Sequence, residues 1–454
     1  MDVAAQVPHA ALRVFVMGER GARREPATDD EIAEMAALAG EAVTAGALGF
    51  STSRTLNHRT STGDFTPTLT ASADELAGIA AGLARAGRGV IQLLSDFTDL
   101  EAEWATVRGM VEASRRPLSF TVAHFPSRPE AWRDWLARIS EARADGLPMT
   151  GQVAPRAIGL ILGLGCTLHP FMHNPVYRTE VASKPLAEQA RLLVDPELRR
   201  RLVAAHRPEG DLSNPLGGGI VDRWDKMYPF ADPPDYEPTA AASLAATAAR
   251  VGVSAEEIAA DWLAADAGTG MIYMPFFNYT EADGLGLCRE MLTHPHTVPG
   301  LSDGGAHAGT ICDGGFPTFM LMHWGLRRPQ GRLPIEWIVE RQTRATARLV
   351  GLHDRGVLAP GYRADVNIID LDRLSIARPE MHHDLPGGGR RLLQTRRRLP
   401  PHLRRRHRDL PRWSTHRSAT RPCLGRQFAY LSYLFCHRPC STGHARGEQS
   451  AFCP

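Results

Sequence analysis

The chain alternates short apolar runs with longer amphipathic ones, regularly enough to define an architecture. Its opening, "HAALRVFVMG", is apolar and strand-like, which suggests a start inside an element with preceding chain absent. Thr28 and Glu31 have capping-box spacing ahead of "EIAEMAALAGEAVTAG", whose apolar residues recur at the spacing of a helix face. A strand candidate, "GALGFSTS", follows, and then a polar loop from Arg54 to Thr70. Ser72 and Glu75 are spaced to cap the next helix, "ELAGIAAGLARAG". The order continues with the strand "GVIQLLSDF", a helix through Trp104 and Met110, and the strand "PLSFTVAHF". A helix around Trp132 to Ala144 leads to the strand "PMTGQVAP". This alternation predicts β/α units around a parallel sheet.

Residues 182–265 read as a mainly helical excursion, broken by "NPLGGGIVDRW" and "YPFADPPDYEP", with Ser254 and Glu257 capping one helix. The barrel pattern is expected to return with "MIYMPFFNY", a helix near "GLCREMLTH", and "TVPGLSDGGAHAG". A helix from Ile335 to Leu349 ends at Gly351, and "GVLAPGYRADVNIIDLDRL" predicts a turn and a strand of a separate small β unit. The expected organisation is a barrel over 1–350, the small β unit over 351–394 and a tail over 395–454 without usable periodicity. There is no internal repeat.

A chain of 454 residues with 43% hydrophobic content can bury a large core. Its formal charge of +2 gives no global basic field, so nucleic acid is not an expected partner. Of the 52 basic residues only Lys184 and Lys226 are lysines, a bias that reflects a GC-rich genome rather than chemistry. The arginines crowd the tail, where the only acids are Asp409 and Glu448. Four of the seven cysteines also lie there. The scattered Cys166, Cys288 and Cys312 suit a reduced cytoplasmic protein better than a disulfide framework. No apolar run is long enough to span a bilayer, and Met1 opens no signal peptide.

Barrel enzymes carry their chemistry at the carboxyl ends of the strands. Asp303 follows an apolar strand and is flanked by glycines that let a ligand approach, so it could bind a metal and take a proton from water. It could equally serve a glycine-rich turn. His307 could bind metal, orient substrate or cap the next segment, and His124 ends its strand as a metal ligand or a structural hydrogen-bonder. Gln92 and Asp96 lie at or just past a strand end, Gln92 being a poor metal ligand but a good amide-orienting donor. His173 and Cys312 read as ordinary loop residues, and the His382–His383 pair as surface. His294 and His296 precede a strand, at the wrong end of the barrel. No phosphate-loop, dinucleotide or nucleophile-elbow pattern is present.

The segments "VPHAALRVFVMGERGARREPATDDEI", "GALGFSTSRTLNHRT", "GLSDGGAHAGTICD" and "TARLVGLHDRGVLAPGYRADVNIIDLDRL" resemble the D-aminoacylase branch of the amidohydrolases over about 7–394. The resemblance implies an incomplete TIM-like (β/α) barrel with the remnant of a small β-sandwich. It implies zinc-assisted hydrolysis of an N-acyl-D-amino acid to a D-amino acid and a carboxylate. Asp303 matches the family's metal-linked general base, and His124 falls where relatives present a metal-binding histidine, while Gln92 stands where they present another. Asp96 and His307 are carried as substrate-binding candidates. Relatives carry an early HxH motif and a bridging cysteine that have no counterpart between Met1 and Val16, so zinc binding by this chain is placed in doubt. An open barrel is expected to favour self-association. The tail beyond Gln394, read in a neighbouring frame, resembles the family's usual end, so it is expected to be out of frame and disordered. The alternatives are a non-catalytic binding or assembly protein on the same scaffold, and an amidohydrolase of a cyclic amide.

Overall fold

The computed structural model describes residues 4–60, 62–206, 223–306, 308–363 and 365–395. The expected tail therefore lies outside the described residues, apart from Thr395. Strands β1 (Gln6–Pro8), β2 (Gly49–Arg54), β3 (Val90–Ser95), β4 (Leu118–Thr121) and β5 (Met149–Val153) lie side by side and parallel. Helices α1 (His9–Met17), α2 (Glu19–Ala22) and α3 (Asp29–Thr44) separate β1 from β2. The later crossovers carry α4 (Ala73–Ala86), α5 (Leu100–Ser114) and α6 (Ala131–Ala144). The chain then builds a second sheet from β6 (Ile158–Leu162), β7 (Tyr228–Pro229) and β8 (Ile272–Phe277), antiparallel in the order β6-β8-β7. It returns with β9 (Thr297–Pro299), which pairs parallel to β5 and completes a six-stranded sheet.

The fold is mixed α/β, with the strand–helix repeat that the sequence predicts. Among the described residues β1 pairs with β2 and β9 with β5, but β1 and β9 do not pair with each other, so the sheet stays open.

Register divides the sheet into two unlike faces. Phe50, Ile91, Leu93, Leu118, Phe120 and Met149 share one face and are buried against helix residues such as Ile79, Leu83, Met110 and Ile139. The opposite face carries Ser51, Gln92, Ser119, Thr121, Thr150 and Gln152. Parallel sheets are ordinarily apolar on both sides. Here the inner face is mostly polar, with Leu94 an apolar member, and the Gln152 amide donates to Ser119 Oγ at 2.8 Å.

Local signals act as expected in most helices. Thr28 and Glu31 make a reciprocal capping box on α3, as do Ser254 and Glu257 on the helix Ala255–Gly268. At α4 only half of the pattern forms: Ser72 accepts from the Glu75 backbone, while the Glu75 side chain turns inward to His9 and Arg13. Helices α3 and α4 pack closely because Gly82 stands where a Cβ would meet the Ala36 carbonyl at 2.1 Å.

Three expectations are corrected. The apolar opening is helical from His9 to Met17, because its buried residues, His9, Leu12, Arg13 and Met17, fall at helical rather than alternate spacing. "MIYMPFFNY" does not rejoin the parallel sheet: β8 lies antiparallel between β6 and β7 over a second apolar cluster that includes Leu162, Leu193, Leu202, Leu263 and Ile272. Residues 365–370 form no strand, since no neighbour offers a ladder; Val366 and Ile368 stand 56% and 70% exposed. The small β unit is instead the hairpin β10 (Glu380–His382) with β11 (Arg391–Leu393). Among the described residues no helix is long and apolar enough to cross a membrane.

Candidate active site

The loops that leave the carboxyl ends of β2 and β3 are hydrogen-bonded to each other, and the loop after β9 carries Asp303. After β2 the chain turns sharply, and its side chains are tied to β3. Thr55 Oγ1 donates to Asp96 Oδ1 at 2.6 Å, and the Leu56 backbone donates to Asp96 Oδ2 at 2.8 Å. Both Asp96 oxygens are thus engaged in holding this loop. Three residues further, His58 Nδ1 lies 2.7 Å from Ser53 Oγ, on the inner face of β2. Burial lowers the His58 pKa, and the Asp96 and Asp303 carboxylates oppose that shift. The ring therefore stands in the field of two acids from different loops.

Asp303 is exposed, four residues past the end of β9. Its Oδ1 accepts from the Gly305 backbone at 2.7 Å, and its carbonyl accepts from the Asp313 backbone at the same distance. The bend is tight: Leu301 and Gly305 both have positive φ, and a Cβ on Gly305 would lie 1.9 Å from the Ile311 carbonyl. Behind it Arg156, 1% exposed, donates through Nη2 to Asp313 Oδ1 at 2.9 Å. Burial raises Asp313 to about 6 although Arg156 draws it down.

The other expected residues are placed as follows. Gln92 is half-buried on the polar inner face of β3, in register with Ser51 and Ser119. His124 is buried beyond β4; its backbone donates to Asn278 Oδ1 at 2.8 Å, and its Nδ1 has no hydrogen-bond partner among the described residues. Burial lowers its pKa, and the charges acting on it are Lys226, Glu130, Glu281 and Arg133, a different set from that around His58. Asp96 and Asp303 thus both act electrostatically on His58 without contacting it, and His124 sits in other surroundings. His307 lies outside the described residues. His296 immediately precedes β9, at its amino end.

A catalytic zinc takes about three protein ligands. Among the described residues no three His, Cys, Asp or Glu side chains converge on one point. Burial pushes the Cys166 and Cys312 thiols up to about 12, so neither offers a thiolate. The donors described here do not by themselves fit a zinc ion.

Sequence reasoning passed over His58, Ser53, Arg156 and Asp313. His58 stood in the quoted "RTLNHRT", and the signal was its position just past a strand on the carboxyl side. Arg156 followed a strand in the same way, in "GQVAPR".

A family model described as the amidohydrolase family matches residues 1–397. The chain belongs to the amidohydrolase family. No curated protein matches the sequence. Among solved structures this amidohydrolase is similar to D-aminoacylase in three forms. One, described for the functional role of its binuclear metal centre, gives a TM-score of 0.44 at 21% identity over 79% of this chain and 59% of that one. A mutant in complex with copper chloride gives 0.44 at 21%, over 78% and 59%. A third, described as defining a novel subset of amidohydrolases, gives 0.43 at 21%, over 79% and 59%. The chain spans about 59% of the length of these D-aminoacylases.

Proposed function

We propose that this amidohydrolase hydrolyses the carbon–nitrogen bond of linear amides, turning an N-acyl-D-amino acid and water into a D-amino acid and a carboxylate. The observation that carries the reading is the family match over 1–397. The position of Asp303 four residues past the carboxyl end of the parallel strand β9, acting electrostatically on His58, supports the same reading. In this scheme Asp303 takes the proton of the attacking water as the C–O bond forms. That proton goes to the amide nitrogen as the C–N bond breaks. In this reading His58 shares in the transfer, while Asp96 holds the loop that carries it. Gln92, on the polar inner face, orients the amide, and Asp96 and His307 are the further substrate-binding residues of this reading.

Zinc is implied by the resemblance, and the D-aminoacylase structures include a binuclear metal centre. The described residues supply no three-ligand set to hold such a centre. The partner is a small N-acyl amino acid, with neither nucleic acid nor membrane involved. The three described cysteines are buried and unpaired, which supports a reduced, cytoplasmic setting. The edges of β1 and β9, unpaired among the described residues, support self-association.

The test is to incubate the purified protein with N-acetyl-D- and N-acetyl-L-amino acids, with and without added zinc, and to resolve the released amino acids by chiral chromatography. Release of the D-enantiomer, lost in Asp303→Asn, supports the proposal. Absence of release in both conditions sinks it. The absence of a three-ligand cluster among the described residues favours one second reading, a binding protein on the same scaffold. That reading expects saturable binding of the N-acyl amino acid without turnover, measured by calorimetry.

A further inference from the structure

We infer that the buried Arg156–Asp313 pair is a positioning device for the Asp303 carboxylate. The catalytic consequence rests on the proposed hydrolysis; the geometry does not.

Arg156 follows the end of β5 by three residues, and β5 is the sheet neighbour of β9, which leads to Asp303. Its guanidinium lies 3.4 Å from the centroid of the Tyr236 ring and 4.9 Å from that of Phe316. Nη2 donates to Asp313 Oδ1 at 2.9 Å and to the Cys312 carbonyl at 3.1 Å. Nε and Nη1 are buried without hydrogen-bond partners among the described residues. An incompletely satisfied buried cation is costly, and a buried ion pair stabilises a fold little better than well-packed apolar side chains would. What the pair does supply is a fixed place for Asp313.

Asp313 passes that place on through its backbone. Its N–H donates to the Asp303 carbonyl at 2.7 Å, and its own carbonyl accepts from Ser302 Oγ at 2.7 Å. The residues on which Asp313 closes are therefore Asp303 itself and the one before it. The Gly305 N–H then fixes the carboxylate through Oδ1. The chain of contacts runs from the end of one strand to the reactive group at the end of its neighbour: Arg156, Asp313, Asp303, Gly305. Every link is a hydrogen bond of 2.7–2.9 Å.

The Gly305 amide reports on this arrangement, because its N–H touches the Asp303 carboxylate directly. Its proton–nitrogen resonance is measured in the wild-type protein, in Asp303→Asn as the calibrating displacement, in Asp313→Asn and in the milder Ser302→Ala. Glu75→Gln is the control, since it weakens another buried ion pair, one that stands apart from this chain of contacts. The expected result is that Asp313→Asn moves the Gly305 resonance by at least half of the Asp303→Asn displacement. Ser302→Ala should move it less, and Glu75→Gln should leave it in place. An unmoved Gly305 in Asp313→Asn overturns the inference, as does an equal displacement in Glu75→Gln. If Asp313→Asn does not fold, Ser302→Ala decides alone: a Gly305 resonance at the wild-type position is then the overturning result.

With an active enzyme, Asp313→Asn should lower kcat about tenfold to a hundredfold at nearly constant KM, because a misplaced base loses rate more than binding. An unchanged kcat overturns the catalytic part. Wild-type protein that hydrolyses no N-acyl-D-amino acid defeats the proposed function, and the Gly305 resonance still decides the positioning.

Discussion

The His9 ring and the Glu75 carboxylate meet at 2.9 Å behind the first two strands, with Arg13 making two further bonds to the same carboxylate at 2.9 and 2.8 Å. All three side chains are about 1% exposed. The other ring nitrogen of His9 lies 2.9 Å from Thr52 Oγ1, so the cluster ties α1 to both β2 and α4. Burial lowers the His9 pKa despite Glu75, so the imidazole is neutral and Arg13 carries the positive charge opposite Glu75. Removing one member of a buried pair leaves an uncompensated charge. Glu75→Ala should therefore cost about 3–5 kcal/mol, read from the denaturant midpoint and slope of purified protein. A loss below about 1 kcal/mol would mean that water reaches Arg13 in the variant, contrary to its burial here.

Glu237 gives the protein an acid-sensitive contact. Burial alone would raise its pKa, but hydrogen bonds from His323 and Arg328 hold it down at about 2. A carboxyl depressed in the folded state contributes stability that is present above its unfolded pKa and is lost as pH falls through the folded value. The window is therefore from about 4.5 down to about 2. Glu237→Gln should lower stability at neutral pH by on the order of 2–3 kcal/mol and flatten its decline over that window. Parallel acid titrations followed by circular dichroism check this; identical slopes in variant and wild type would count against it.

The repeated strand–helix order was legible because it depends on periodicity, and α3 through α6 each bury one face at helical spacing. Asp303 was legible as a candidate because glycines mark its bend. What stayed hidden depended on contacts distant in sequence. Glu75 was spaced for a local capping box, and only the folded chain shows His9 and Arg13 drawing its side chain inward, across separations of 66 and 62 residues. The antiparallel place of β8 was hidden for the same reason, since an apolar run does not state its partner. His58 escaped because a lone histidine in a polar loop gives no sign of the acids whose charge acts on it.

His58→Gln tests whether that imidazole takes part in the proposed reaction. Glutamine can still hydrogen-bond near Ser53 Oγ but cannot carry the proton. The fold should change little, because His58 lies in a half-buried loop whose main tie to β3 is Asp96. The expected effect is a fall in kcat of about a hundredfold, the usual scale for a lost acid–base group. Initial rates on the N-acyl-D-amino acid that the wild type turns over measure it. A kcat within a factor of about two of wild type would restrict His58 to holding Ser53.

Gly305 is the residue on which the Asp303 bend depends sterically. Its φ of +70° lies in the left-handed region, where a Cβ is disfavoured, and that Cβ would also lie 1.9 Å from the Ile311 carbonyl. The backbone atom is not the end of a flexible side chain, so the backbone at Gly305 or at Ile311 must shift. Gly305→Ala should therefore displace the N–H that Asp303 Oδ1 accepts. The cost is about 1–3 kcal/mol in stability, the scale of local backbone strain at such positions. Activity should fall further than stability, since the strain falls on the loop that orients the proposed base. Gly252→Ala supplies the comparison: its φ is +82°, it ends a helix, and open space surrounds its Cβ position. Thermal unfolding and kcat are measured for both. Gly252→Ala should lose stability without a specific loss of kcat, and Gly305→Ala should lose both. Equal behaviour in the two variants would mean that the left-handed conformation alone, and not the closeness of Ile311, sets the demand for glycine at 305.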